Sequence, residues 1–90
     1  MEIKISSQFA SDLKMLKDTS LYPKVKSVLQ DLKEMENLES VPYFKPIKGN
    51  DKAFKMAIGF YFLLLFRSES EVYTLMRCLP RDVVMKFQIQ

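Results

Sequence analysis

The sequence has no histidine among its 90 residues. Histidine is the side chain whose ordinary pKa lies nearest to neutral pH, so it is the usual general base, the usual partner of a serine or cysteine nucleophile and the commonest zinc ligand. Its absence excludes Ser-His and Cys-His hydrolase mechanisms. A metal centre built on histidine is excluded for the same reason.

Cysteine is almost absent as well, since Cys78 is the single one. One thiol cannot form an internal disulfide or a multi-cysteine metal site, and a lone cysteine fits a reducing compartment. We therefore expect no bound metal and no cofactor. Cys78 itself is expected to be a small buried residue of a strand.

Long hydrophobic runs and a strong charge of one sign are also missing. The longest apolar stretch, residues 56–66, is well short of the ~20 residues that a membrane-spanning helix needs. Residues 1–5 alternate charged and apolar side chains and lack the hydrophobic region of a secretory signal, so a cytoplasmic location is expected. The net charge of +3, from 14 Lys and Arg against 11 Asp and Glu, is weaker than in a dedicated DNA-coating protein.

The sequence does contain enough apolar material for one core. Hydrophobic residues make up 48% of the chain and aromatic residues 12%, which is the range of globular domains. A chain of this length can bury one hydrophobic core but not two. We therefore expect residues 1–90 to form a single domain.

The first part of the chain shows one short strand and two helical patterns. Residues 2–6 alternate apolar and polar side chains, as in a strand, and Ser6 or Ser7 is placed to cap the helix that follows. Helices are predicted at about residues 7–18 and 23–36. Their apolar positions at helical spacing are expected in the core: Leu13, Leu16, Val28, Leu29 and Leu32.

The second part of the chain shows four strands. Residues 41–48 have a strand pattern with two prolines, which places this strand at a sheet edge, and a turn follows at residues 49–51. Two apolar strands then meet at Gly59-Phe60, a two-residue hairpin turn. Residues 72–77 form a further strand, and a short segment follows from Pro80.

The register of this hairpin assigns each side chain to a face. If Ile58 pairs with Tyr61, six residues share the face that packs on the core: Phe54, Met56, Ile58, Tyr61, Leu63 and Leu65. The opposite face then carries Lys55, Ala57, Phe62 and Leu64. The whole pattern predicts an α+β fold of β-α-α-β-β-β-β order with a short C-terminal segment, in which an N-terminal helical hairpin packs on a small antiparallel sheet.

Four stretches of the chain carry a resemblance to a known family: Phe-Ala-Ser-Asp-Leu-Lys-Met-Leu at residues 9–16, Lys-Pro-Ile-Lys-Gly at 45–49, Phe-Lys-Met-Ala-Ile-Gly-Phe-Tyr-Phe at 54–62 and Pro-Arg-Asp-Val at 80–83. This series resembles the RelE/ParE superfamily of toxins from toxin-antitoxin systems. The corresponding stretches of that family look like F-x-K-D-L-x-x-L, K-P-L-K-G, Y-R-I-R-V-G-D-Y-R and H-R-R-D-I-Y. The resemblance covers nearly the whole chain in order and spacing.

The resemblance implies a compact toxin that a cognate antitoxin protein neutralises. It leaves two targets open: messenger RNA on the ribosome, which a RelE-like endoribonuclease cleaves, and DNA gyrase, which a ParE-like toxin inhibits. For the nuclease, Lys55 and Arg81 match basic catalytic positions of the family. Ala57 and Phe62 stand where the family has further basic residues, and Val84 stands where it has a tyrosine, so cleavage is expected to be weak or lost.

Six more basic residues are candidates for contact with RNA phosphates, with ordinary solvated surface positions as the alternative: Lys45, Lys48, Lys52, Arg67, Arg77 and Lys86. The apolar Ala57, Phe62 and Leu64 are candidates for binding a protein, either the antitoxin or a second copy of the chain. The alternative is that residues 83–87 fold back over this face. Two alternatives therefore stay open beside the toxin nuclease. One is a non-catalytic binding module of the same superfamily, either a ParE-like gyrase inhibitor or an inactive toxin that still binds its antitoxin, and the other is a plain structural domain.

Overall fold

The structure is a computed structural model, and it describes residues 2–35, 44–69 and 72–87. Its elements in chain order are β1 (Glu2–Ile5), α1 (Ser7–Lys14), α2 (Leu21–Glu34), β2 (Lys45–Ile47), β3 (Asn50–Ile58), β4 (Tyr61–Glu69), β5 (Val72–Pro80) and α3 (Arg81–Phe87). This order confirms the predicted β-α-α-β-β-β-β arrangement. The short C-terminal segment is the helix α3.

The first helix begins where the sequence indicated and ends earlier. The Ser6 hydroxyl accepts a hydrogen bond from the Phe9 amide at 3.0 Å, which caps α1. The last residue of α1 is Lys14 rather than residue 18. Leu16 is still buried, but it packs into the core from the segment after the helix.

The second helix begins two residues before the predicted start. A turn precedes it, in which the Asp18 carboxylate accepts hydrogen bonds from the amide and the hydroxyl of Ser20. The helix then starts at Leu21, whose side chain is buried in the core. Pro23 lies in the first turn, where a missing N–H leaves no intrahelical hydrogen bond unmade.

The five strands form one sheet in the order β1-β5-β4-β3-β2. Neighbouring strands from β2 to β5 are antiparallel, as predicted, whereas β1 lies parallel to β5. Period-two alternation marks a strand but carries no information on its direction. β2 is an edge strand, as its Pro46 indicated, and residues 41–43 of the predicted strand lie outside the described residues.

The hairpin between β3 and β4 has the predicted register, with Ile58 paired to Tyr61. Gly59 occupies its first turn position with a φ of 57°, a backbone region that favours glycine. A Cβ atom at this position would lie 3.2 Å from the Leu21 side chain. The turn between β2 and β3 is at residues 48–49, one residue earlier than predicted.

The core lies between one face of the sheet and the helices α1 and α2. Its largest fully buried side chains are Phe9, Leu32, Leu63, Leu65 and Leu75. Of the five helix positions predicted in the core, Leu16 and Leu32 are buried, and Leu13, Val28 and Leu29 are partly buried against the same cluster. Among the described helices, none combines the length and the apolar character needed to cross a membrane.

Candidate functional site

The sheet face opposite the core, which we call the outer face, carries the residues that the hairpin register assigned to it. Ala57 of β3 is paired directly with Phe62 of β4, and Lys55 is paired with Leu64. Lys45 of the edge strand β2 is paired with Lys55 in turn. Because directly paired residues share a face, two lysines lie next to each other beside the Ala57–Phe62 pair.

The centre of the outer face is the Phe62 ring, which is 8% exposed. The Lys55 ammonium nitrogen lies 5.2 Å from the centre of this ring, and the Arg81 guanidinium carbon lies 5.3 Å from it. Both distances are within the ~6 Å range of cation–π attraction. The structure therefore brings the two predicted catalytic residues to the same ring.

Arg81 reaches this ring because α3 turns back towards the hairpin. The Arg81 amide donates a hydrogen bond to the Phe60 carbonyl at 2.8 Å, which ties the start of α3 to the hairpin turn. α3 then packs on β4 and β5 and buries Val84. Within the described ranges, Phe62 and Val84 are the two buried apolar residues outside the main core cluster.

This arrangement bears on the predicted partner-binding residues. Phe62 is covered from within the chain, by α3 and by the side chains of Lys55 and Arg81, which is the internal alternative considered for this face. Ala57 is exposed and Leu64 is half-buried. Contact of these two residues with an antitoxin or a second copy stays a prediction.

Phe62→Lys should therefore act first on stability. The substitution places a third charge beside two cations and removes a buried ring, so we expect the free energy of unfolding to fall by about 3 kcal/mol. Urea unfolding followed by circular dichroism measures this. Phe66→Lys is a matched control, because Phe66 is a half-buried residue two positions along the same strand face from Leu64. Wild-type stability of Phe62→Lys would show that the ring is bare surface.

The predicted RNA-contact residues of β2 and β3 are spread along one edge of the sheet. Lys45 is exposed beside Lys55 and belongs to the site. Lys48 is exposed in the β2–β3 turn, and Lys52 is exposed where β2 and β3 lose their regular register. Both lie at the end of β3 that is far from the hairpin turn, so the structure does not bring them to the Phe62 ring.

The remaining three candidates lie elsewhere. Arg67 is paired with Tyr73, which is buried in the core, so Arg67 projects from the core side of the sheet. Lys86 is exposed on α3. Arg77 of β5 is paired with Leu64 of the outer face, but its charge is paired within the chain. RNA contact by these residues stays a prediction, and at Arg77 a carboxylate already takes hydrogen bonds from two of the guanidinium nitrogens.

That carboxylate belongs to Asp12 of α1. Arg77 donates to it from Nε at 2.8 Å and from Nη2 at 3.1 Å, and the Cys78 amide donates to it at 2.9 Å. The β1–β5 pairing reaches only to Leu75, so beyond that residue none of the described strands flanks β5 on this side. Asp12 thus satisfies an edge amide and fixes α1 against β5.

The pKa values of this cluster follow from its contacts. Burial of the Asp12 carboxyl acts to raise its pKa, but the hydrogen bonds from Arg77 and Cys78 and the Arg77 charge outweigh this, so the pKa lies below its ordinary value. Burial, with the Asp12 charge beside it, raises the pKa of the Cys78 thiol to about 11. Cys78 is 3% exposed in β5, which confirms the prediction of a small buried strand residue.

Asp12 is the structural residue that the sequence analysis missed. It stands three residues after the buried Phe9 and directly before Leu13, which packs against the core, on the inward side of an amphipathic helix. A carboxylate at such a position needs a partner, because a buried charge without one is costly. In the described parts of the chain no three Cys, Asp or Glu side chains are grouped as a metal site requires.

No protein-family model matches the chain. No curated protein matches it either. Solved structures do match it. A chain of the RelB-RelE antitoxin-toxin complex from Methanococcus jannaschii is similar with a TM-score of 0.78 and 18% identity, over 93% of this chain and 96% of that one.

Two further solved structures agree with this likeness. A chain of the toxin-antitoxin complex RelBE2 from Mycobacterium tuberculosis has a TM-score of 0.66 and 21% identity, with 89% of this chain and 96% of that one covered. YafQ from E. coli has a TM-score of 0.62 and 16% identity, with 92% and 96% covered. The chain therefore has the fold of these RelE-type and YafQ structures, which confirms the fold that the four sequence stretches indicated.

Proposed function

We propose that this chain is a RelE-type toxin, neutralised by a cognate antitoxin, that inhibits translation by cleaving messenger RNA on the ribosome, and that its cleavage is weak. The observation that supports this most is the meeting of Lys55 and Arg81 at one ring of the outer face. The matched structures include complexes of RelE-type toxins and YafQ with antitoxins, which supports an antitoxin as the partner.

The chemistry of the site is limited by its residues. Metal-free RNA cleavage uses the 2′-hydroxyl as the nucleophile, so the enzyme must help to remove its proton, stabilise charge on the phosphate and protonate the leaving oxygen. Arg81 supplies a permanent positive charge, and Lys55 supplies a charge and an exchangeable proton. Ala57 and Val84 supply neither, so the outer face is better equipped to bind RNA than to cut it.

The proposal predicts the effect of removing both cations. In a cell-free translation system, Lys55→Ala combined with Arg81→Ala should reduce the inhibitory potency of the purified protein at least about tenfold, because phosphate binding depends on these charges. Lys26→Ala is the matched control, since Lys26 is an exposed lysine of α2 and lies away from the outer face. The measurement is the protein concentration that halves reporter synthesis.

Two outcomes would contradict the proposal. One is normal reporter synthesis with the wild-type protein in excess over ribosomes. The other is equal inhibition by the wild-type protein and the double variant, because inhibition would then arise from another part of the chain.

A non-catalytic member of the same superfamily is the second candidate, with DNA gyrase as its target. The exposed Ala57 favours it, because a small apolar residue on an open sheet face suits protein contact better than phosphate chemistry. This function would show as inhibited DNA supercoiling by purified gyrase while reporter synthesis stays normal.

A further inference from the structure

The position of Phe62 needs an explanation beyond burial. The ring is buried beside α3. The ring, however, has two like charges placed over it, those of Lys55 and Arg81. Because like charges repel, attraction to the ring offsets part of the cost of bringing both charges to it.

We propose that Phe62 is a positioning residue, whose ring holds the Lys55 ammonium and the Arg81 guanidinium together so that both bind one phosphodiester group of single-stranded RNA. This inference rests on the proposed function, because it concerns the same face and the same ligand. Phe62 then positions the two charges for RNA. The sequence analysis had instead made it a candidate for contact with a protein partner, because its side chain is apolar.

The physical basis is the electron distribution of the ring. The face of a phenyl ring is negative, so it attracts each cation and offsets part of their mutual repulsion. Long basic side chains lose considerable rotamer freedom when they bind an anion, and a side chain already held over a ring has lost part of it beforehand. Held in this way, two cations form a better phosphate site than two mobile ones.

The backbone around the ring supports this role. Arg81 is fixed at its amide by the Phe60 carbonyl, and Lys55 is fixed in β3 between two neighbouring strands. Ala57 lies directly beside Phe62 and has no atoms beyond Cβ, so it leaves the approach to the two cations open. Lys45, exposed in the adjacent strand, is placed to contact a neighbouring phosphate of the same strand of RNA.

Binding to an RNA that cannot be cleaved tests the inference. The probe is a fluorescent 2′-O-methylated oligoribonucleotide, and the measurement is its anisotropy. Phe62→Leu keeps an apolar side chain but removes the ring, so the affinity should fall about threefold to tenfold. Phe62→Tyr keeps the ring and should restore it. Phe66→Leu, the same change on the same strand face, should leave it at the wild-type value.

Chemical shifts give a second measurement, which tests the contact of the two basic side chains with the ring directly. In the wild-type protein, ring currents of Phe62 should move the side-chain methylene protons of Lys55 and Arg81 upfield, and Phe62→Leu should return them to ordinary values. If Phe62→Leu does not fold, the test rests on the wild-type protein. Ordinary chemical shifts of the Lys55 and Arg81 methylene protons in the wild-type protein would overturn the inference. If Phe62→Leu folds and binds the RNA probe with wild-type affinity, the positioning role of Phe62 is overturned. The proposed function towards RNA is then unaffected. A wild-type protein that does not bind the probe contradicts that function, and the positioning role with it.

Discussion

Purified protein should cleave ribosome-bound messenger RNA at least about a hundredfold more slowly than a RelE toxin that has basic residues at all the hairpin positions of that family. The reason is that loss of one charge-stabilising group commonly lowers a reaction rate by about a hundredfold to a thousandfold. By the resemblance of the sequence to that family, Ala57 and Phe62 are expected to stand at two of those positions. Val84 of α3, which stands where the resemblance places a tyrosine, is buried and has no ionisable group. The expected rate therefore reflects both missing charge and a missing acid–base group. Primer extension on a stalled ribosome complex measures it.

The same reasoning predicts a gain of activity. Ala57→Arg places a guanidinium on the outer face directly beside Phe62, so it should raise the cleavage rate about tenfold or more. Ala53→Arg is the matched control, because it adds the same charge to the same strand face but beside Phe66, on the side of Lys55 that faces away from Phe62. The opposite result would be cleavage by the wild-type protein at the rate of a RelE toxin with the full basic set, abolished by Lys55→Ala or Arg81→Ala. This would show that the site is sufficient for cleavage without further basic residues. Equal gains in both variants would show that net charge alone matters.

Asp12→Asn should lower the free energy of unfolding by about 2–3 kcal/mol at neutral pH. Removing one member of a fully buried ion pair costs about 3–5 kcal/mol, and the estimate is reduced because the Arg77 side chain is 38% exposed and the Asp12 side chain 13% exposed. The asparagine keeps the shape of the side chain but has no negative charge. Its amide therefore cannot replace the carboxylate that accepts hydrogen bonds from both Arg77 and the Cys78 amide. Asp31→Asn, at an exposed aspartate of α2, is the control and should be neutral.

The pH dependence of this difference has a definite sign. The pKa of Asp12 in the folded protein lies below its ordinary value of 3.8, so the native state binds the proton less tightly than the unfolded chain does. The stabilisation is therefore complete above about pH 5, and it is lost as the pH falls through the ordinary value towards the lower folded value. Urea unfolding of wild type and Asp12→Asn should converge at acid pH. A constant difference down to pH 2 would assign the effect to hydrogen bonding by the amide group of the asparagine instead of to the lost charge.

Local pattern was sufficient for much of the fold because its signals lie within a few residues of each other. The Ser6 cap, the two amphipathic helices and the Gly59 turn each follow from neighbouring side chains and their backbone preferences. The helix ends were less well predicted. α1 stops at Lys14 although apolar spacing continues to Leu16, because that leucine reaches the core without helical backbone.

The candidate site could be predicted only in part. The register of the hairpin placed Lys55, Ala57, Phe62 and Leu64 on one face, since side chains alternate strictly along paired strands. Which of the other basic residues share that face was not predictable from charge. Arg67 projects from the core side, and Arg77 is held by α1.

The sequence by itself determined the order of the elements, the faces of the β3–β4 hairpin and the edge position of β2, because periodicity, glycine and proline act over short distances along the chain. Only the tertiary structure decided that β1 lies parallel to β5, that Asp12 binds Arg77, and that Lys55 and Arg81 meet at Phe62. Each of these arrangements includes at least one residue from a segment that is far along the chain from the others. Such contacts depend on how the helices and α3 pack on the sheet, and alternation along one segment contains no information about the segment it will meet.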